Sequence, residues 1–426
     1  MKVKIFSQDL KIGMYVSELD HPWIESPFLF QGFIIENDEL LQQILSSCKY
    51  VYVDTEKTPV DIAASLETLD PNKQAPITKP KPGKSHFTDT VALNKIKFDK
   101  DDFTKNLTQA RKSRDKTRSY IDSMLSEARM GRIIDTRKAK QLVAELASNI
   151  AVSVDASLWL TQLKKRDEYT AIHSLNVCVL SIIFGRALKL PEHELNELGL
   201  GALLHDIGKM RVPDSVLNKP GRLTADEFEI MKTHPGIGFE LAKQDKNLSQ
   251  DVLTIIRNHH ERLNGQGYPD NLPESDITYY TKIVSITDVY DAVTSDRVYH
   301  DGMTPHEAMK KMYEWMPNNF DEDLMQAFIR TLGIYPVGSV VELETGHIGL
   351  VVKLNNEHRL KPVVMIVMNR NKEYYPQRKL INLASSLWEK KAGRPEIKRI
   401  LDAKEFNIDI KKIIDEESLS QESLRH

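Results

Sequence analysis

The stretch Gly199–Gly221, GLGALLHDIGKMRVPDSVLNKPG, decides how the chain is read. Leu200, Leu203, Leu204 and Ile207 recur at helical spacing, which predicts a helix with one packed face. His205 and Asp206 ride on that helix, inside an apolar run. Gly208 is its expected stop, because glycine tolerates the left-handed conformation that ends many helices. An imidazole and a carboxylate in apolar surroundings need partners, since unpaired buried polar groups are costly. A metal ion is the natural one.

Five of the 13 histidines, His173, His205, His234, His259 and His260, fall in apolar or tightly punctuated settings. His173 lies in YTAIHSLNV, ahead of an apolar run that ends at Phe184. His234 precedes Pro235 and Gly236 at a helix boundary. His259 and His260 end a helix and lead into ERLNGQGYP. Neighbouring helical side chains point about 100° apart, so one metal rarely takes both histidines from the same side, and two metals could take one each. Asp288 sits in VSITDVYDA, where it shares a helix face with Asp291 at i, i+3 spacing. A His/Asp set without thiolates suits Fe, Mn, Zn or Ni rather than a structural cysteine site. The chemistry such metals serve best is hydrolysis, through an acidified water and neutralised phosphoryl charge. Lys209, one turn on, is placed to hydrogen-bond a non-bridging oxygen or to help protonate a leaving group.

HDIGK, PDSVLNKPG, HHERLNGQGYP and DVYDAVTS, in that order, resemble the HD-GYP family. These are bacterial phosphodiesterases of the HD metal-dependent phosphohydrolase superfamily. The resemblance spans about residues 150–333, and the N-terminal module is similar to the uncharacterised domain that often precedes such domains. It implies an all-helical bundle, within a mainly α chain, acting on cyclic di-GMP to yield pGpG or GMP. By position it makes His173, His205, Asp206, His234, His259, His260 and Asp288 the ligands of two divalent metals per site, Fe or Mn ahead of Zn or Ni. Lys209 would face the scissile phosphate, with Asp206 as its catalytic companion. Tyr268, Asp291, Arg297 and His300 would join Lys209 at the substrate. Arg297 would read phosphate or guanine, a task suited to a guanidinium fork. Gly267, Tyr268 and Pro269 form the signature loop, which implies pocket shaping and contact with a protein partner.

Three positions depart from the family pattern. Tyr169 stands where members with a third metal carry Glu, which argues for two metals, although Glu168 is adjacent. Asn264 replaces a more usual Asp. His300 stands where many relatives have Arg or Lys, and a weakly charged residue there loosens phosphate binding. Alternatives to the cyclic di-GMP enzyme are therefore a cyclic GMP-AMP phosphodiesterase and a non-catalytic cyclic dinucleotide receptor. The intact ligand set favours an enzyme.

The chain has 426 residues, 41% hydrophobic and 28% charged, which fits a globular protein of two or three domains. A formal net charge of −3 gives no electrostatic case for DNA or RNA. Cys48 and Cys178 are the only cysteines, so no disulfide framework is expected. The N-terminus lacks the apolar core of a secretion signal, and Val177–Phe184 is too short to span a bilayer. A cytoplasmic location is the expectation.

Residues 1–57 read as a small mixed α/β module, with strands at Val3–Phe6, Phe28–Ile35 and Tyr50–Val53 and a helix over Asp38–Cys48. Trp23 and Phe28 are either ordinary core or a partner surface. Residues 58–100 are a Pro/Lys-rich linker. Residues 101–150 predict a helical connector with a thin apolar seam (Leu107, Tyr120, Ile121, Met124, Leu125), expected to form a homodimer. Asp135 is the expected cap of a second helix reaching about Leu163. The catalytic helices occupy 151–333. Residues 334–384 form a small β-rich module, with strands at Ser339–Leu343, His347–Leu354 and Pro362–Met368. A basic, then acidic tail covers 385–426.

Overall fold

Alternation of apolar and polar residues builds the first element of the fold, as expected for a half-buried sheet. In the computed structural model, β1 (Lys2–Phe6), β2 (Tyr15–Leu19), β3 (Phe33–Ile34) and β4 (Tyr50–Asp54) form an antiparallel sheet in the order β1-β4-β2-β3. The structure describes residues 2–20, 32–63, 100–132, 136–163, 169–296, 302–355, 358, 360–385 and 395–419. Pairing of Val3 with Val53 and Ile5 with Val51 sets the register. Ile5, Val16, Val51 and Val53 share a core with Ile44 of α1 (Asp38–Ser47). Asn37 caps that helix by accepting a hydrogen bond from Leu40 N at 2.9 Å. A short α2 (Val60–Ala63) follows. Trp23, Phe28 and most of the linker lie outside the described residues.

The described residues from 100 onward form a separate compact unit. Its helices are α3 (Lys100–Arg129), α4 (Arg137–Val152), α5 (Val154–Thr161), α6 (Tyr169–Ala187), α7 (Glu192–Leu204), α8 (Asp214–Leu217), α9 (Ala225–Met231), α10 (His234–Ala242), α11 (Gln250–Asn258), α12 (Tyr279–Thr294), α13 (Pro305–Asn319) and α14 (Glu322–Leu332). The mainly α class and the helical bundle expected from the sequence are what the chain adopts. Helix α6 is apolar on every side and runs through the centre, packed on α3, α4, α5, α7, α12 and α14. By length and composition Thr170–Ala187 could cross a membrane, contrary to the expectation of no such run. Most of that surface is instead buried by its neighbours. Gly201 lets α7 approach α11, since a Cβ there would fall 2.5 Å from Ile255 Cδ1.

The connector differs from expectation. Leu107, Ile121, Met124 and Leu125 of α3 are buried against the bundle, as are Leu142, Val143, Leu146 and Ile150 of α4. The seam expected to seat a second copy is therefore covered within the chain. A thin apolar stripe reads the same whether its partner is another molecule or a helix further along. The second helix also breaks at Ser153, whose hydroxyl accepts from Ala156 N at 3.3 Å and starts α5 at 117° to α4. Asp135 lies outside the described residues.

The last module is a five-stranded antiparallel sheet, β5 (Val340–Leu343), β6 (Ile348–Lys353), β7 (Val363–Met368), β8 (Tyr374–Asn382) and β9 (Ile397–Leu401), ordered β8-β7-β6-β5-β9. The sequence reading found the inner three. The two missed strands are the edges, where charged residues such as Lys379, Arg378 and Arg399 break the apolar alternation. Leu354 N donates to Asp155 Oδ1 of α5 at 2.9 Å, and α15 (Ile410–Leu419) packs on α3.

Candidate metal centre

The His205-Asp206 pair does not ride inside a helix. Helix α7 ends at Leu204, His205 is its C-terminal cap, and a 3-10 turn begins at Ile207. Gly208 is not a left-handed stop. A Cβ there would lie 2.0 Å from the His234 carbonyl oxygen and 2.5 Å from Gly238 N, so the missing side chain lets α10 seat on the 3-10 turn. This seating brings His234, the first residue of α10, to Asp206. His173 comes from α6, Asp288 from α12, and His259 and His260 from the end of α11.

Asp206 is fully buried and its two oxygens face different groups. Oδ1 lies 3.2 Å from His234 Nε2 and 3.8 Å from His259 Nε2. Oδ2 lies 3.3 Å from His205 Nε2, 3.7 Å from His173 Nε2 and 2.6 Å from Lys209 Nζ. Two sets of converging ligand atoms result, each within 4.8 Å: His173, His205 and Asp206, and Asp206, His234, His259 and His260. Asp288 borders the first, with Oδ1 3.0 Å from His173 Nε2 and 3.9 Å from His205 Nε2. His259 and His260 thus fall in one set rather than two. His259 caps α11 with helical backbone angles, and the two rings nonetheless stand 4.2 Å apart, tilted by 46°.

The rings are aimed by their other nitrogens. His205 Nδ1 donates to Ala202 O at 2.7 Å, His234 Nδ1 to Met231 O at 2.8 Å, and His259 Nδ1 to Ile256 O at 3.0 Å. Each such bond turns an unprotonated Nε2 toward Asp206. Burial pushes the pKa of His234 down and those of His259 and His260 far down, which keeps these imidazoles neutral. Burial would raise the Asp206 carboxyl, but His205 and Lys209 outweigh it and hold the group well below the usual range. Asp288 is likewise held low, chiefly by His173 against the effect of burial. Burial lowers His173 too, yet its bonds to Asp288 and Asp291 outweigh that and lift it to about 9.

The residues fit a pair of divalent cations. His205 Nε2 and Asp206 Oδ1 are buried without a hydrogen-bond partner, a costly arrangement for polar atoms that do not bind something else. Neutral imidazole nitrogens and ionised carboxylates are the donor types that bind such cations, and His173, charged while its partners are Asp288 and Asp291 alone, would give up its Nε2 proton on binding one.

Asp291 lies behind the ligands instead of at a substrate. It is 1% exposed, and its carboxylate accepts from His173 Nδ1 at 2.8 Å, Asn176 Nδ2 at 3.0 Å and Ser295 Oγ at 3.4 Å. The expectation of a direct substrate contact is corrected accordingly. Asn176, which the sequence reading passed over, also donates to Thr161 O at 3.2 Å and ties α6 to α5. Its signal was available, as a polar residue one turn beyond His173 in an apolar helix. Tyr268 lies beside the ligands, its ring 4.6 Å from that of His260. A Cβ on Gly267 would come within 2.4 Å of Glu261 Cα, and Glu261 pins the loop by accepting from Asp270 N and Leu272 N. Pro269 follows in the same loop. Arg297, His300 and Glu168 lie outside the described residues.

A relative from Pseudomonas aeruginosa, a cyclic di-GMP phosphodiesterase, is 37% identical over 374 residues, which is 86% of this chain and 86% of that protein. The chain belongs to the HD-GYP family. Its HD domain matches residues 139–324, a domain of unknown function matches 2–139, and a KOW domain associated with HD domains matches 340–388. A second relative is a cyclic di-GMP phosphodiesterase response regulator from Xanthomonas campestris. It is 33% identical over 217 residues, covering 48% of this chain and 57% of that protein. Among solved structures, an HDG"Y"P protein from Bdellovibrio bacteriovorus covers 77% of this chain and 98% of its own, at 18% identity and a TM-score of 0.46.

Proposed function

We propose that this protein is a metal-dependent phosphodiesterase that hydrolyses cyclic di-GMP to pGpG, GMP or both. The observation that carries the reading is Asp206, one buried carboxylate divided between two sets of ligand atoms. His173, His205, Asp206 and Asp288 would hold one cation, and Asp206, His234, His259 and His260 the other. Iron or manganese is the proposed pair, with zinc or nickel as substitutes. When bound, two such cations supply Lewis acidity toward a phosphoryl oxygen and acidify a water. Lys209, at 2.6 Å from Asp206 and partly exposed, presents a fixed ammonium toward the charge that builds on a non-bridging oxygen. Asp291 keeps the His173 ring turned toward Asp288 and Asp206. The named activity of both relatives supports the substrate. The full ligand set favours turnover over a purely receptive role, and the Tyr268 loop remains the proposed contact for a protein partner.

The test is anaerobic purification, metal analysis and chromatography of the products formed from cyclic di-GMP. About two metals per chain and conversion to pGpG or GMP are expected, with Asp206→Ala losing both metal and turnover while keeping its helical signal. Metal-loaded protein that leaves cyclic di-GMP intact refutes the reading.

A further inference from the structure

Helix α9 has no buried residue, yet it carries Phe228, a residue 45% exposed. The helix is held by polar bonds instead. Thr224 and Glu227 cap one another, and Lys219 Nζ donates to Glu227 Oε1 at 2.8 Å. An aromatic residue left nearly half in water gains less from the fold than a buried one. Its position is nonetheless specific. Phe228 meets Tyr268 edge to face, with centroids 6.4 Å apart at 80°, and Tyr268 in turn leans over His260. Lys232 Nζ stands 5.1 Å from the Phe228 ring and 6.0 Å from that of Tyr268. His260 and Lys209 are the most exposed of the described residues at the metal centre, with side chains 16% and 19% exposed. From that opening outward, the order is His260, Tyr268, Phe228, with an ammonium alongside.

A cyclic dinucleotide has two purines and two phosphates. The metal ligands and Lys209 account for one phosphate. What remains calls for a π face and a cation, and these are the two chemistries beside the opening. We propose that Phe228 and Lys232 form an outer subsite, Phe228 stacking on the purine beside the phosphate being cleaved and Lys232 holding the second phosphate. The inference rests on the cyclic di-GMP reading. Lys232 now donates to Glu229 Oε1 at 2.6 Å, but the Glu229 side chain is 68% exposed. An exposed pair of this kind holds weakly, so the ammonium can exchange it for a phosphate.

Steady-state kinetics of the full, metal-loaded chain test this with two substrates at fixed salt, cyclic di-GMP and methyl p-nitrophenyl phosphate, a diester with no base and one phosphate. Phe228→Ala should raise KM for cyclic di-GMP about tenfold, within the range that base–aromatic stacking carries, and Phe228→Trp should restore it. Lys232→Gln should raise the same KM and flatten its dependence on salt. Bound metal and turnover of the methyl diester should stay at the wild-type level in all three variants. Equal losses on both diesters would mean that Phe228 only braces Tyr268, and an unchanged KM for cyclic di-GMP would place both residues outside the site. Either result overturns the subsite. Wild-type protein that cleaves the methyl diester but not cyclic di-GMP would overturn the substrate reading beneath it, a failure visible before any variant is made.

Discussion

Replacing Gly208 with alanine should pull the metal centre apart along one seam. The added Cβ would sit 2.0 Å from the His234 carbonyl oxygen and 2.5 Å from Gly238 N, where real contacts do not fall under 3.0 Å. Both obstacles are backbone, so no side-chain rotation relieves them. The 3-10 turn and α10 must separate by about 1 Å, and that seam is what holds His234 Nε2 3.2 Å from Asp206 Oδ1. Overpacking of this kind costs about 1–3 kcal/mol in stability. A displacement of about 1 Å at a reacting centre costs on the order of 100-fold in rate. The damage should be lopsided, because His173 and His205 reach Asp206 without crossing the seam. Gly236→Ala is the control, since a Cβ there meets nothing within 4 Å. Thermal melts, metal analysis and turnover of cyclic di-GMP should show Gly208→Ala less stable, short of about one metal and slowed about 100-fold, with Gly236→Ala unaffected. A Gly208→Ala protein with two metals and wild-type turnover would refute the argument.

Asp291→Ala removes the acceptor that turns His173, and should weaken metal binding about 10- to 100-fold while cyclic di-GMP affinity, read at saturating metal, changes little; metal titration checks it. Leu107→Ala leaves a cavity in a fully buried site and should cost about 2–5 kcal/mol, with a melting temperature independent of protein concentration because the seam is intramolecular. Glu342 lies between Lys372 Nζ at 3.0 Å and Arg399 Nε at 2.8 Å, and chiefly Arg399 holds its carboxyl below the ordinary value. A depressed carboxyl stabilises the fold above its unfolded value of about 4.3 and loses that contribution as pH falls through the lower folded value. Glu342→Gln should therefore flatten the acid limb of the stability profile below about pH 4.3, measured by denaturant melts from pH 3 to 6, and leave its shape above pH 6 unchanged.

The catalytic unit was legible because its chemistry sits in short motifs. Every histidine that reaches Asp206 stood out as a polar residue in an apolar or punctuated setting. Backbone conformation was less legible. An apolar run through Leu204 and Ile207 predicts a continuous helix, yet the turn at His205-Asp206 depends on α10 pressing against Gly208, a contact 26 or more residues away in the chain. Asp291 was placed on the correct helix face beside Asp288, but only its bonds to His173 and Asn176 of α6 put it behind the ligands. The partner of the α3 seam was illegible for a simpler reason, since a stripe of leucines carries no mark of what covers it.

Three of the candidate ligand rings take their bearing from a carbonyl three residues earlier in the chain: His205 from Ala202, His234 from Met231, and His259 from Ile256. Bearing is thus inherited from a single turn of backbone, whereas separation is negotiated among helices far apart in sequence. The two quantities should drift independently over evolutionary time. Loops between the ligand-bearing helices can lengthen or shorten without changing where any of these rings points. Small residues at the crossings, Gly208 and Gly201 among them, are the positions where drift would be felt as distance. A lineage could in this way keep every ligand in its alignment and still lose one metal, by trading a hydrogen for a methyl group at a crossing that touches no ion.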